Sequence, residues 1–130
     1  MKVLALDYGS ARTGVAVSDP TGTLARPVGV VERASTENGL AEIVRLVREE
    51  DVKRIVVGLP LTLRGTRGEQ AAETERFVEA LRRIVDLPVE LFDERFTTDL
   101  AQQTAGTAPE DALAAAHLLS TYLEWCAARS

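Results

Sequence analysis

The chain has very few residues that act through sulfur or imidazole. It contains one cysteine, Cys126, and one histidine, His117, among 130 residues. A single cysteine excludes an intrachain disulfide and a zinc site built from cysteines. His117 follows Asp111 by six residues, which on a helix puts it nearly on the opposite face. We therefore interpret His117 as a packing or surface residue and not as a general base.

Long apolar runs and an excess of basic residues are also missing. No run approaches the roughly 18 residues that a membrane helix needs, and an apolar strand opens the chain where a signal peptide would stand. These features favour a soluble cytoplasmic protein with no membrane partner. Acidic residues outnumber basic ones by 20 to 15, for a net charge of −5. Because nucleic-acid-binding domains are usually basic, we expect weak affinity for nucleic acid.

The apolar pattern predicts one α/β domain over residues 1–130. With 45% hydrophobic residues the chain can bury a core. Strands are predicted over 2–6, 14–18, 28–32, 53–59 and 88–92. A first helix is predicted after a cap at Thr36, and a second over Glu69 to Val85. The apolar side of the second helix is formed by Ala72, Phe77, Leu81 and Ile84. Two further helices are predicted, one after Thr97 or Thr98 and one after Thr107. Short connections and right-handed crossovers then predict a five-stranded mixed sheet of order 3-2-1-4-5, flanked by helices.

Acidic residues stand where three of these elements end or begin. Asp7 closes the first strand, Asp93 and Glu94 follow the fifth, and Asp111 lies in the first part of the last helix. Ligands of open α/β sheets bind at the carboxyl ends of the strands, so these acids can converge there. Clustered carboxylates need a compensating charge, and oxygen ligands suit Mg²⁺ or Mn²⁺. The pattern thus predicts a metal site suited to phosphoryl chemistry.

Each acidic position also has an ordinary structural explanation. Asp7 can form an Asx-turn that starts a hairpin, and an acid in the first turn of a helix, such as Asp111, is favoured by the helix dipole. Asp93 and Glu94 lie before the predicted cap, where the dipole does not explain them. Which of these two adjacent acids points inward stays open from the residues alone.

Several other residues near these acids are suited to binding a phosphate backbone. Arginine recognises phosphate through two parallel hydrogen bonds, and a glycine turn lets a backbone approach closely. The candidate nucleic-acid contacts are Arg12, Arg64, Arg67, Arg95, Gly9 and Thr98. Arg95 can instead pair with a neighbouring acid, and the arginines of the 61–68 loop can be ordinary solvated side chains.

Four segments together resemble the YqgF/RuvX family of ribonuclease H-like proteins. They are Asp7 to Asp19 (DYGSARTGVAVSD), Val57 to Pro60 (VGLP), Asp93 to Thr98 (DERFTT), and Asp111 in an alanine-rich last helix. The resemblance implies a metal-dependent nuclease that trims the 5′ end of precursor 16S ribosomal RNA, or alternatively a Holliday junction resolvase or DNA nuclease. It implies Asp7, Glu94 and Asp111 as catalytic metal ligands. A homodimer stays open.

Two rival functions follow from the same residues. The Asp-x-Gly turn also resembles the phosphate loop of the actin and sugar-kinase ATPases, but that fold needs two such domains and 130 residues cannot supply them. The second rival is a non-catalytic nucleic-acid-binding module. It is favoured by the stretch from Ala101 to Glu110, which is short and has no basic residue where many family members carry a basic loop.

Overall fold

The first strand lies in the middle of a five-stranded mixed sheet. The computed structural model describes residues 1–60, 68–93 and 110–129. The strands are β1 (Val3–Asp7), β2 (Arg12–Ser18), β3 (Ala25–Glu32), β4 (Arg54–Leu59) and β5 (Val89–Asp93), and the helices are α1 (Glu37–Glu49), α2 (Glu69–Arg82) and α3 (Glu110–Arg129). The sheet order β3-β2-β1-β4-β5 confirms the prediction.

The two hairpin strands are longer than predicted. Antiparallel pairing of β2 with β3 runs from Arg12 opposite Glu32 to Ser18 opposite Ala25. The apolar pattern marks only the inner part of these strands, because arginine, threonine and proline interrupt it at their ends. Arg12 is therefore the first residue of β2, whereas the sequence predicts it within the turn that precedes this strand.

The helices begin and end for identifiable reasons. Thr36 caps α1 as predicted, since its hydroxyl accepts a hydrogen bond from the Gly39 amide at 3.1 Å. Helix α2 ends at Arg82, three residues earlier than predicted, and Ile84 is 47% exposed instead of lying on its apolar side. After Arg82 the backbone tightens, and the amides of Arg83 and Ile84 bond to the carbonyls of Ala80 and Leu81, three residues back.

Each face of the sheet buries a separate hydrophobic cluster. Leu4 and Leu6 of β1 pack with residues of α1 and α2, whereas Val3 and Ala5 pack with residues of α3. This alternation is the ordinary two-residue period of a strand buried on both faces. A side chain on β1 can therefore be assigned to the α1–α2 face or the α3 face from its number.

A buried polar group holds the far half of α3 against the sheet. Tyr122 is 1% exposed, and its hydroxyl donates to Glu90 Oε1 at 2.9 Å while accepting from Arg54 at 3.0 Å. Burial raises the pKa of the Tyr122 hydroxyl. No helix in the described ranges is both long enough and apolar enough to cross a membrane.

Replacing Tyr122 by phenylalanine tests this anchor. Tyr122→Phe keeps the ring but removes the hydroxyl between Arg54 and Glu90, so we expect a loss of about 1 kcal/mol in the free energy of unfolding. Urea denaturation at pH 7 measures it, with the exposed Glu124→Gln on the same helix as control. An unchanged free energy would show that the hydrogen bonds do not anchor α3.

The raised pKa of Tyr122 also predicts a dependence on pH. A group whose pKa is higher in the folded protein stabilises it below the unfolded pKa, about 10 for tyrosine, and loses that contribution as the pH rises further. The stability gap between wild type and Tyr122→Phe should therefore shrink as the pH rises above about 10. Urea denaturation across this range measures the gap, and a gap that widens would contradict the assignment.

Candidate metal and nucleic-acid site

Asp7 is directed to the α3 face at the carboxyl end of the central strand. It follows Ala5 by two residues and so shares the face of the α3 cluster. Tyr8 turns the other way and stacks on Phe77 with ring centroids 4.5 Å apart, and its hydroxyl donates to Glu73 at 3.2 Å. Tyr8 thus secures the backbone next to Asp7, while Asp7 itself is half-buried.

The turn after Asp7 is closed by its own residues. Gly9 and Thr13 are linked at 3.4 Å in both directions, between the Gly9 amide and carbonyl and the Thr13 hydroxyl. A Cβ atom on Gly9 would lie 2.5 Å from the carbonyl oxygen of Arg12. The tight turn therefore explains why glycine is needed at position 9. The contact of Gly9 with a phosphate backbone stays a prediction.

Gly14 connects Asp7 with Asp111. It is the cross-strand partner of Asp7 in the β1–β2 ladder, and directly opposed residues point to the same face of a sheet. A Cβ atom on Gly14 would lie 1.8 Å from the backbone carbonyl oxygen of Asp111. The first turn of α3 therefore rests on β2 where Gly14 has no side chain. This contact brings Asp111 to the same edge and face as Asp7.

Asp111 is held in an ion pair with Arg12. Arg12 Nε lies 3.3 Å from Asp111 Oδ2, and the two side chains are 66% and 37% exposed. Sequence reasoning placed Arg12 among the phosphate contacts and did not predict this pairing. Nothing in the local pattern signals it, because the two residues are far apart in sequence and meet only through the Gly14 contact.

The fifth strand directs Asp93 away from the α3 face. Asp93 is the last residue of β5 and pairs in register with Leu59. Phe92 belongs to the α3 cluster and Leu91 packs against the opposite one, so alternation directs Asp93 to the α1–α2 face. Asp93 therefore does not share the face of Asp7. The remaining predicted site residues, Glu94, Arg64, Arg67, Arg95 and Thr98, lie outside the described residues.

The two described carboxylates suit a hard divalent cation. Within residues 1–60, 68–93 and 110–129, no group of three or more His, Cys, Asp or Glu side chains is placed to hold a metal. Asp7 and Asp111 nonetheless supply oxygen ligands at one sheet edge, and Arg12 already places a positive charge on Asp111. A donor set of carboxylate oxygens fits Mg²⁺ or Mn²⁺ better than it fits softer ions.

Gly14→Ala tests whether the close approach of α3 positions Asp111. The added methyl group meets backbone atoms that cannot rotate away, so we expect a loss of about 1–3 kcal/mol in the free energy of unfolding and a weaker affinity of the folded protein for Mn²⁺. Urea denaturation and calorimetric titration measure the two effects. Gly29→Ala on β3 is the matched control, because nothing lies within 4 Å of its Cβ position. Equal behaviour of the two variants would contradict the contact.

Relatives with similar sequences span almost the whole chain. A protein of Chloroflexus aggregans named "Putative pre-16S rRNA nuclease" is 44% identical over 131 residues, covering 94% of this chain and 92% of that protein. A protein of the same name from Syntrophomonas wolfei is 35% identical over 133 residues, covering 95% of this chain and 94% of that one.

Solved structures with the same fold are much more distant in sequence. Thermus thermophilus RuvC in complex with a Holliday junction substrate aligns with a TM-score of 0.63 at 15% identity, covering 97% of this chain and 96% of that chain. The fowlpox virus resolvase bound to Holliday junction DNA aligns with a TM-score of 0.57 at 12% identity, covering 97% and 99%. These matches confirm the ribonuclease H-like fold.

A family model covers the chain from its first residue nearly to its last. Residues 1–125 match RuvX, which is described as a Holliday junction resolvase. This match and the identity with relatives over more than nine-tenths of the chain agree with the motifs around Asp7 and Asp111. The chain belongs to the RuvX family.

Proposed function

We propose that this protein is a divalent-metal-dependent nuclease that hydrolyses phosphodiester bonds during 5′-end maturation of precursor 16S ribosomal RNA. The observation that supports the proposal is the close approach of the Asp111 backbone to Gly14, the strand partner of Asp7. The relatives named as pre-16S rRNA nucleases support the choice of substrate. A ribosomal RNA substrate would be met in the cytoplasm.

The proposed metal ligands are Asp7, Asp111 and Glu94. Asp7 stands on the central strand and Asp111 lies across Gly14 from it. Glu94 is proposed in preference to Asp93 because the alternation of β5 directs Asp93 to the other face. Mg²⁺ or Mn²⁺ bound there would neutralise the incoming phosphate and lower the pKa of a water molecule.

The chain's own residues would orient the nucleic acid. Arg12 leaves the turn after Asp7 with 66% of its side chain exposed, which suits a contact with a phosphate near the acids. The predicted contacts at Arg64, Arg67, Arg95 and Thr98 belong to the same proposal. Because the chain is net acidic, binding should rest on few phosphate contacts and be weak and salt-sensitive.

Two other functions have some support. The fold is that of RuvC bound to a Holliday junction, and the family model is described as a resolvase, which favours a junction or DNA nuclease as the second candidate. A binding module without catalysis is the third candidate, and the non-basic stretch 101–110 favours it. Cleavage assays separate all three functions.

A cleavage panel with Asp7→Asn tests the proposal. The substrates are precursor 16S rRNA, single-stranded RNA, single-stranded DNA and four-way junctions, each with Mn²⁺ or Mg²⁺. We expect wild type to cut the precursor rRNA best. Asp7→Asn should lose at least about a hundredfold in rate, because even outer-shell partners of a metal contribute about 10–100-fold.

The variant's thermal stability separates a catalytic role from a structural one. Neutralising one of two neighbouring carboxylates relieves repulsion in the metal-free protein, so the melting temperature of Asp7→Asn should stay equal or rise. Asp86→Asn is the control, because Asp86 is exposed and precedes β5 at the opposite edge of the sheet. Undiminished cleavage by Asp7→Asn would refute the assignment, and preferred cutting of junctions would favour the resolvase.

A further inference from the structure

Arg12 occupies the carboxylate that the proposed function assigns to a metal ion. Its Nε atom lies 3.3 Å from Asp111 Oδ2, and the backbone of Asp111 packs against Gly14, the strand partner of Asp7. A guanidinium and a divalent cation cannot both sit close to the same oxygen without mutual repulsion. A cation bound to Asp111 would therefore weaken the Arg12 ion pair and favour the release of its guanidinium.

We infer that Arg12 is an exchangeable counter-ion, which neutralises Asp111 in the metal-free protein and moves to the nucleic-acid phosphate when a divalent cation takes that carboxylate. The inference rests on the proposed metal site and adds a coupling to it. Arg12 is a positioning residue toward the metal and a contact residue toward the phosphate. No covalent step is involved.

The ion pair is weak enough to exchange. Arg12 Nε lies 3.3 Å from Asp111 Oδ2, and the side chains are 66% and 37% exposed. Exposed pairs of this kind contribute little to stability. Arg12 is the first residue of β2, so its backbone is held by the ladder while its side chain reaches solvent.

The exchange would couple the affinities for metal and nucleic acid. When a cation binds Asp111, the guanidinium of Arg12 is released at the edge of the sheet where the phosphate of the nucleic acid must approach. Removing Arg12 should therefore strengthen metal binding to the free protein and weaken the effect of metal on nucleic-acid binding. Thermodynamic linkage requires the coupling to be the same in both directions.

Calorimetric titration with Mn²⁺ tests the first half of the inference. Arg12→Gln should bind Mn²⁺ about three- to tenfold more tightly than wild type at low ionic strength, since one competing positive charge is lost. The gain should shrink as salt screens the charges. Arg26→Gln is the matched control, because Arg26 pairs with Glu50 at the same 3.3 Å and is 61% exposed. Its Mn²⁺ affinity should stay near that of wild type.

Nucleic-acid binding with and without Ca²⁺ tests the second half. A fluorescent single-stranded RNA oligonucleotide is titrated with wild type, Arg12→Gln and Arg26→Gln, once in EDTA and once in Ca²⁺. Arg12→Gln should lose severalfold more affinity in Ca²⁺ than in EDTA, whereas Arg26→Gln should show the same small change in both. An equal loss for Arg12→Gln in both buffers would identify Arg12 as a plain phosphate contact and overturn the inference.

The outcomes also distinguish this inference from the proposed function. If wild type binds Mn²⁺ and Arg12→Gln binds it no more tightly than wild type, the exchange is refuted while the metal site stands. If neither wild type nor Arg12→Gln binds Mn²⁺, both the metal site and the exchange are refuted. Tighter Mn²⁺ binding by Arg12→Gln together with the Ca²⁺-dependent loss of RNA affinity would establish the exchange.

Discussion

The close contact between Gly14 and the backbone of Asp111 is the constraint on which the site depends. A Cβ atom there would lie 1.8 Å from the Asp111 carbonyl oxygen, so any other residue would push the start of α3 away from β2. Because Gly14 is opposite Asp7 in the ladder, the same contact sets where the start of α3 lies relative to the end of β1. The rest of the described structure supports this arrangement from both ends of α3.

At the far end of α3, Tyr122 is buried between Arg54 and Glu90. At the near end, Arg12 carries a positive charge to Asp111. The helix is thus attached by apolar packing along its length, by a buried hydroxyl at one end and by a charge at the other. An acidic site on a net acidic chain needs such local compensation, because neighbouring carboxylates repel one another.

The sheet could be predicted from the sequence because its strands are continuous apolar runs separated by turns, and because short connections leave few topologies. The Thr36 cap could also be predicted, since a threonine before a helical pattern has a definite role. The end of α2 could not, because the chain leaves the helix ahead of Pro88 while apolar residues such as Ile84 continue the pattern.

The site was predictable in outline but not in its pairings. Asp7 and Asp111 stand at element ends that the pattern reveals, so a shared edge of the sheet could be predicted for them. The direction of Asp93 needed the register of β5, because successive strand residues point to opposite faces. The pairing of Arg12 with Asp111 depends on where α3 lies on β2. That position depends on the absence of a side chain at Gly14, and no local sequence pattern indicates it.

The central claim is that Asp7 and Asp111 belong to one metal site. A double-mutant cycle in Mn²⁺ affinity, using Asp7→Asn, Asp111→Asn and the double variant, tests it most directly. Residues that share a ligand show non-additive effects, whereas independent residues add. We predict that either single change removes most of the affinity and that the second change costs little more. Additive losses, or a variant that binds Mn²⁺ as tightly as wild type, would contradict the shared site.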